Sequence, residues 1–528
     1  MMADKLRWRS VILILLLLAW CPRIVLVLQG GQCYFPDETR YFLCWNVLGH
    51  LARVELGRAA DVVVNSVAHC FYPVICCVPA AVQCTVVRLS GQSIRWGIIR
   101  EWLSVSALIL SLASVACIGL TYAIARRAGG DRREGLTAAL IMSCSNSMFY
   151  YARHLVPYDI AMALALLALW IGLTDRPGLI RSALAGAVAG LAFLTYYGYW
   201  LIAVVVMTIH VLRGLPSKPA VVRRGLAAGL GFVAPTALLI LMAVARGADF
   251  LARLFSLSGT VIQGDFREGW SLPWAYLWHA EHGLLLAWVV GTPAILLPAG
   301  RTCRDASARA RGLLWLGAAV SIYLALTAAS TGVGKMVVYG RLARQVVPFL
   351  CLATACATTR VLDGRPLGLA AVLGTAALLA QAAFNFGQPL ALRFPVDVRR
   401  QVEATYGPVA RGLTFVGLRL DQEVPDHSGR PVGKRETTPG GPDFAEKIGH
   451  KANYLLLNAQ FLYPINGLQR RPRGVTVLRI PHPAGFLPYQ YEGFGPRERA
   501  ILRSRQTVIE LIDIPSPNKH NKHIAVHN

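Results

Sequence analysis

Charged residues are scarce in this chain. Of its 528 residues only 15% are Asp, Glu, Lys or Arg, while 55% are hydrophobic. Soluble domains carry about 25% charged residues. Long apolar runs separate the few charges, and so many of them are not typical of a single aqueous core. The scarcity therefore excludes an ordinary soluble protein and predicts an all-α membrane protein with many transmembrane helices.

Acidic residues and zinc-binding cysteine pairs are also lacking. The chain has 28 acidic and 53 basic residues, a net charge of +25. The basic residues lie between apolar runs and form no continuous face, so they indicate membrane loops and exclude nucleic acid as the expected partner. The 12 cysteines include no CxxC pairs at zinc-ribbon spacing. Six lie in 33–84, where disulfides and buried apolar thiols are the two open interpretations.

Eleven apolar runs are candidates for transmembrane helices. The first, 11–28, follows a basic start and by itself resembles a signal peptide, but the later runs favour an uncleaved helix. The segment 66–87 contains two prolines and either crosses the membrane as a twelfth span or lies at its surface. The eleven runs are 11–28, 102–125, 136–150, 157–173, 181–195, 198–212, 225–245, 282–299, 312–331, 345–359 and 366–385.

The distribution of Lys and Arg decides between these topologies. If 66–87 lies at the surface and the N-terminus is cytoplasmic, the cytoplasmic loops hold 16 Lys or Arg in 45 residues, and the four opposite loops after the first external loop hold 7 in 61. This bias agrees with the positive-inside rule, and a crossing at 66–87 would invert it. We therefore predict a multi-pass protein of the cell membrane with about eleven spans in residues 1–390. Its first external loop, 30–101, is long and contains surface helices.

The composition changes after the last apolar run. Residues 391–443 are polar and end in a Pro- and Gly-rich stretch, which predicts a connecting region and linker. Residues 444–514 contain aromatic and β-branched stretches, which predict a small α+β domain outside the cytoplasm. The end of the chain, 515–528, is predicted to be a disordered tail, and its histidines are a weaker indication of metal binding.

Ionisable side chains collect on the external side of this topology. Asp37 and Glu38 follow the first span, and Asp159 opens the span at 157–173. The external segment 332–344 adds three basic residues. Carboxylates at a membrane surface act as general bases or bind metals, and cations beside them hold phosphate. For each charge alone, solvation of a loop is the alternative. Together they indicate a site for a lipid phosphate.

Five stretches resemble the GT-C superfamily of membrane glycosyltransferases, which use polyprenyl-phosphate sugars. FPDETRY follows the first span, where the family has an Asp-Glu pair, and YYARHLVPYDIAM carries a second external Asp. IIREWLSVSALILSLASVACIGLTYAIARRAGG, together with GAVAGLAFLTYYGYWLI and YGRLARQVVPFL, completes the match over residues 10–390. The nearest branch contains bacterial protein mannosyltransferases and lipid A aminoarabinose transferases. One departure is AHCFYPV, where the family's double proline is missing and His69 stands in for a basic residue.

The resemblance implies an inverting transfer of a sugar from a polyprenyl phosphate to a hydroxyl of a protein, a lipid or a glycan. Asp37 is the expected base. Glu38 and Asp159 are expected to orient the acceptor, to tune the pKa of Asp37 or to share a divalent metal ion. The expected substrate-binding residues, of which Arg100 and Arg153 have contact with lipid head groups as an alternative, are Arg40, His69, Arg100, Arg153, Lys335, Tyr339, Arg341 and Arg344.

Three other functions stay open. A transporter usually has ionisable groups near the middle of the membrane and often has repeated halves, and this sequence shows neither. A non-catalytic scaffold would bind a partner through the C-terminal domain. A polymerase or ligase of surface polysaccharide would use a lipid-diphosphate donor.

Overall fold

The computed structural model describes residues 2–28, 32, 36–94, 98–99, 102–174, 178–215, 217–261, 270–297, 303–334 and 340–363, together with four strands. The helices, in chain order, are α1 (Met2–Leu28), α2 (Leu43–Ala52), α3 (Leu56–Asn65), α4 (Tyr72–Leu89), α5 (Leu103–Arg127), α6 (Arg132–Ser143), α7 (Asn146–Tyr151), α8 (Tyr158–Gly172), α9 (Leu179–Thr195), α10 (Trp200–Leu212), α11 (Lys218–Ala245), α12 (Phe250–Val261), α13 (Ser271–Leu296), α14 (Cys303–Thr327), α15 (Gly340–Ala343) and α16 (Val347–Asp363). Shorter 3-10 helices lie at Pro36–Phe42, Val67–His69, Tyr197–Tyr199 and Arg344–Val346.

Six helical segments are long and apolar enough to cross a membrane, so the chain is a multi-pass membrane protein, as its composition predicts. The expected run at 366–385 lies outside the described residues. The exact number of spans, and whether α4 crosses the membrane, stay predictions. The six segments are Ser10–Leu28, Tyr72–Leu89, Leu103–Arg127, Lys218–Ala245, Ala306–Gly332 and Gly340–Arg360, and the shorter apolar helices are Tyr158–Gly172, Leu179–Thr195, Tyr197–Leu212 and Ala280–Leu296.

The chain divides into two compact units. The first contains Met1–Leu28, Arg40–Ala81 and Ala107–Gly387. The second contains Gln29–Thr39, Val82–Ser106 and Gln388–Asn528. Most of the helices belong to the first unit.

In the first unit, α9 and α11 cross with their backbones in contact. A Cβ atom added at Gly186 would overlap the carbonyl group of Ala228, and one added at Gly231 would overlap the carbonyl group of Ala183. Only glycine permits such an approach, and small residues at helix crossings are typical of membrane proteins, where close packing replaces the hydrophobic effect. The crossing fixes the direction of α9, which ends at Thr195 beside the candidate site.

Two short helices of the expected first external loop pack within the first unit. Val47 of α2 and Val63 of α3 belong to one buried apolar cluster with Ala243 of α11 and Phe250 of α12. Three buried or half-buried thiols near this region, Cys44, Cys76 and Cys77, are unbonded, as are all cysteines whose side chains the structure describes. Of the two interpretations, disulfides and buried apolar thiols, the second therefore applies to these cysteines.

Ion pairs in the first unit join segments that the topology assigns to the same side. Glu134 and Arg311, at 2.6 Å, come from two expected cytoplasmic loops. Asp61 and Arg246, at 2.8 Å, come from two expected external segments. These two ion pairs agree with the predicted grouping of the loops. Which side is cytoplasmic stays a prediction.

The second unit contains a mixed β-sheet in the strand order β1-β2-β4-β3. Strand β1 pairs with β2 in parallel, and the other two pairings are antiparallel. β1 comes from the expected connecting region and the other three strands from 444–514, whose domain boundaries stay predictions. The expected tail at 515–528 lies outside the described residues. The strands are β1 (Leu413–Val416), β2 (Tyr454–Asn458), β3 (Val475–Pro481) and β4 (Val508–Asp513).

Candidate active site

A buried ion pair joins two of the predicted site residues. Asp159 lies in the first turn of α8, where the partial positive charge of a helix N-terminus favours a carboxylate. Arg344 begins the 3-10 helix between α15 and α16, and its Nη2 donates a hydrogen bond to Oδ1 of Asp159. The side chain of Arg344 is fully buried and that of Asp159 is 7% exposed. Two charges persist at such a depth only when they are paired.

Tyrosine rings surround this pair. The ring centre of Tyr151 lies 4.7 Å from the guanidinium carbon of Arg344, a cation–π contact. Arg341 donates from Nη1 to the hydroxyl of Tyr158 at 2.9 Å. The rings of Tyr151 and Tyr158 pack edge to face, with 5.2 Å between their centres. Both predicted arginines of YGRLAR therefore lie on one aromatic surface, beside Asp159.

His69 reaches the same aromatic surface from the first external loop. Its buried ring stacks on Tyr196, with 5.4 Å between ring centres and 9° between planes. Nδ1 of His69 lies 3.2 Å from the carbonyl oxygen of Thr195 at the end of α9. Tyr196 in turn packs against Tyr158, with 4.8 Å between ring centres. The fold thus brings His69 to the Asp159 cluster, although about ninety residues separate the two in sequence.

A pocket of about 470 Å³ opens beside His69. Arg40 lines it, so the structure brings together two predicted substrate-binding residues. Arg253 of α12 also lines the pocket and donates a hydrogen bond to Oδ1 of Asn65. The two arginines make the pocket cationic. Sequence reasoning missed Arg253, since its only signal is a lone charge in an external amphipathic helix.

Arg153 lies apart from solvent in this region. It is 1% exposed, and its Nε contacts Nε2 of His154 at 3.2 Å. The side chain does not extend to lipid head groups, which was one of its two interpretations.

Four predicted residues lie partly or wholly outside the described residues. The side chain of Asp37 is among them, as are Arg100, Lys335 and Tyr339. The backbone of Asp37 belongs to the 3-10 helix Pro36–Phe42, which also contains Glu38 and Arg40. The side chain of Glu38 is buried. Among the described residues, no three His, Cys, Asp or Glu side chains form a group that could hold a metal ion.

Two buried charges were missed or assigned differently from the sequence. Glu281 was placed at the end of an external loop, but it lies inside α13 and is fully buried. Its signal was a carboxylate within the apolar stretch LWHAEHGLLLAW. Arg23 is a charge inside the first apolar run, in α1. It is buried and donates to the Oγ of Ser114 at 2.9 Å and the carbonyl of Ala19 at 2.7 Å.

Carboxylates of the first external loop are held in the charged form. A hydrogen bond from His50, at 2.7 Å, lowers the pKa of Glu55 below its usual value. A hydrogen bond from Arg246 likewise lowers the pKa of Asp61. Hydrogen bonds to the ionised form favour that form. These groups are partly exposed and lie away from the buried cluster, so they indicate a stable loop and not a general base.

The buried cluster combines this ion pair with further donors. Asp159 balances the charge of Arg344, and the Nε and Nη1 atoms of Arg344 have no hydrogen-bond partner within the described part of the chain. Arg341 adds a second cation, whose guanidinium carbon lies 5.6 Å from the ring centre of Tyr158.

No protein-family model matches the chain, and no curated protein sequence matches it. Solved structures, in contrast, do match the chain. ArnT from Cupriavidus metallidurans bound to undecaprenyl phosphate has 13% sequence identity and a TM-score of 0.51, over 95% of this chain and 98% of that chain. The oligosaccharyltransferase from Archaeoglobus fulgidus in complex with Zn and sulfate is more distant, with 12% identity and a TM-score of 0.42, over 84% of this chain and 68% of that chain. The chain therefore shares its fold with ArnT along nearly its whole length, which agrees with the fold that its motifs predict.

Proposed function

We propose that this protein is a membrane glycosyltransferase. It transfers a sugar from a polyprenyl-phosphate donor to a hydroxyl acceptor on the external side of the cell membrane. The observation that carries the proposal is the buried arginine–tyrosine cluster around Asp159, in a fold shared with a protein solved with undecaprenyl phosphate bound. A cationic, aromatic site of this kind suits a phosphate whose lipid chain stays in the membrane.

The reaction proceeds by one displacement at the anomeric carbon. The carboxylate of Asp37 accepts the proton of the acceptor hydroxyl as that oxygen attacks the anomeric carbon. The new C–O bond forms on the face opposite the phosphate, so the configuration inverts. The bond between the anomeric carbon and the phosphate oxygen breaks, and its electron pair leaves with the polyprenyl phosphate.

The arginine cluster stabilises the leaving group. Negative charge grows on the phosphate as the bond breaks, and fixed cations in a site without water stabilise that charge most strongly. Arg341 and Arg344 supply the charge, with Lys335 as a third cation. Asp159 acts on Arg344, because it balances the charge and holds the guanidinium in place. We place this role before the sharing of a metal ion, one of the three roles expected for Asp159, because its Oδ1 already accepts a hydrogen bond from Arg344.

The pocket beside His69 is the proposed entrance for the polar part of a substrate. Arg40, Arg253 and His69 line it, and His69 continues it to the tyrosine cluster. Glu38 supports Asp37 from the same 3-10 helix. A protein, a lipid and a glycan all stay candidates for the acceptor.

Purified protein supplied with radiolabelled lipid-linked sugars tests this function. We expect label to move from a polyprenyl monophosphate, and Asp37→Asn to reduce the rate by about 10²-fold or more, the usual contribution of a general base. Asp61→Asn is the control, because it also removes one external carboxylate but lies away from the cluster. Normal activity of Asp37→Asn would remove that residue as base. Transfer only from a diphosphate donor would identify a polymerase or ligase, and no transfer at all would refute the function.

A further inference from the structure

Glu281 is a buried carboxylate in the middle of α13. Its backbone leaves the helical conformation, with φ −134° and ψ 33°, and its side chain is fully buried. A carboxylate at this depth in a membrane protein is costly and usually has a functional reason. The kink turns the side chain toward the start of another helix, α7.

The side chain of Glu281 accepts four hydrogen bonds from the first residues of α7. Its Oε1 accepts from the hydroxyl of Ser145 at 2.6 Å, the hydroxyl of Ser147 at 2.5 Å and the backbone N–H of Ser147 at 2.8 Å. Its Oε2 accepts from the backbone N–H of Asn146 at 3.1 Å. These bonds satisfy N–H groups that a helix leaves without partners at its start.

Helix α7 is the support on which Arg344 rests. The Sδ atom of Met148 lies 2.7 Å from Nη2 of Arg344, and the ring of Tyr151 lies below its guanidinium group. All six residues of α7 are buried. Six residues are too few for a helix to be stable by itself, so its neighbours determine its position. Glu281 is the neighbour that holds its first turn.

We infer that Glu281 is a positioning residue for Arg344. It fixes α7, and α7 in turn fixes the guanidinium group that faces the substrate phosphate. Glu281 touches no substrate itself. The catalytic part of this inference rests on the proposed function.

The chemistry of the contact explains why a carboxylate is needed. The four groups of Ser145, Asn146 and Ser147 that contact Glu281 are all donors, and a carboxylate is an acceptor at both oxygens. A glutamine keeps one acceptor oxygen but opposes one N–H group with its own NH2 group. A leucine keeps none. The two substitutions therefore remove different amounts of the hydrogen-bonded contact. Glu281→Gln removes part of it and Glu281→Leu removes all of it.

Kinetics of these two variants test the inference. We expect Glu281→Leu to lower kcat/KM for the labelled donor by about 10²-fold, as a displacement of about 1 Å at a reacting group can, and Glu281→Gln to recover most of the loss. Glu134→Gln is the matched control. Glu134 is also buried, but it pairs with Arg311, and both come from loops that we expect on the cytoplasmic side of the membrane. Ser145→Ala combined with Ser147→Ala, which removes only hydroxyls, is the milder variant if Glu281→Leu does not fold.

A double-mutant cycle separates positioning from general stability. If Glu281 acts through Arg344, then Glu281→Leu should cause no further loss in an Arg344→Met background. The inference would be overturned if the double variant lost activity by the product of the two single losses, or if Glu281→Leu had wild-type kinetics. Either result would leave the transferase function standing. If the wild type transfers no label, the proposed function fails. The positioning role of Glu281 is then tested by measuring the binding of undecaprenyl phosphate. Glu281→Leu and Arg344→Met should then weaken it equally, and unchanged binding by Glu281→Leu alone overturns the inference.

Discussion

At the residue scale, the pairing of Asp159 with Arg344 changes the role expected for each. Both were predicted to face a substrate from the external side. The structure places the carboxylate against the guanidinium group, with Tyr151 on another side of it. The arginine is then a fixed cation with donors left over, which is the arrangement that stabilises developing negative charge.

Replacing one partner of this ion pair should destabilise the protein more than replacing both partners. Asp159→Asn or Arg344→Met alone leaves one buried charge without its partner, which costs about 3–5 kcal/mol. The combined variant should recover much of that stability, because no unpaired charge is left, yet it should stay inactive. Thermal unfolding in detergent measures the first effect and donor transfer the second. Single variants as stable as the wild type would contradict the prediction.

At the element scale, the crossing of α9 and α11 is the contact most sensitive to side-chain size. Two glycines of α11 differ sharply in their surroundings. A Cβ at Gly231 would overlap the backbone of Ala183, while Gly229 has no atom of another element within 4 Å. The two positions lie on one helix, two residues apart, so they form a matched pair.

We expect Gly231→Ala to separate the two helices and to lower stability by about 1–3 kcal/mol, the usual cost of overpacking. Gly229→Ala should be neutral or slightly stabilising, because alanine favours the helix. Unfolding temperatures of the two purified variants check this. Equal effects would mean that the close approach is absent in the protein.

The contact between α3 and the end of α11 should depend on pH. Arg246 lowers the pKa of Asp61 in the folded protein relative to the unfolded chain. A carboxyl with a lowered folded pKa adds stability above its unfolded pKa of about 3.9, and that stability disappears as pH falls through the lower folded value. The loss on acidification should therefore be smaller in Asp61→Asn than in the wild type. Unfolding measured between neutral pH and about pH 3 tests it, and identical curves would contradict it.

At the scale of the whole molecule, the loops separate into two sets. The ion pair between Glu134 and Arg311 connects two loops of one set, and the ion pair between Asp61 and Arg246 connects two segments of the other set. The positive-inside rule names the first set as cytoplasmic. The rule also requires that both ends of α4 lie outside, since that helix would otherwise invert the bias.

Labelling of intact cells with a membrane-impermeant maleimide tests this topology. We expect Leu56→Cys and Ser93→Cys to react above the level of the parent protein. Ser307→Cys should react only after the membrane is opened. Protection of Ser93→Cys in intact cells would show that α4 crosses the membrane. Reaction of Ser307→Cys in intact cells would reverse the orientation.

Much of the architecture follows from the sequence because the signals are local. Apolar runs, loop charges and the motifs around Asp37, Asp159 and Arg341 predicted a multi-pass GT-C fold, which the structure shares with ArnT. Boundaries were less accurate. The run expected at 136–150 is two helices, α6 and α7, because the chain turns at Cys144 and Ser145 between them. Its signal was the short polar stretch SCSNS, residues 143–147, which an average of hydropathy over the whole run does not register.

The sequence by itself determined the membrane class of this protein and predicted the grouping of its charged loops and the external position of Asp159 and Arg344, because these depend on each segment's own hydropathy and charge. Only the tertiary structure decided that Arg344 binds Asp159, that His69 lies on Tyr196 and that Glu281 holds α7. Each of these contacts joins residues far apart in the chain. They depend on how helices are rotated and crossed, and no local pattern of apolar and polar residues carries that information.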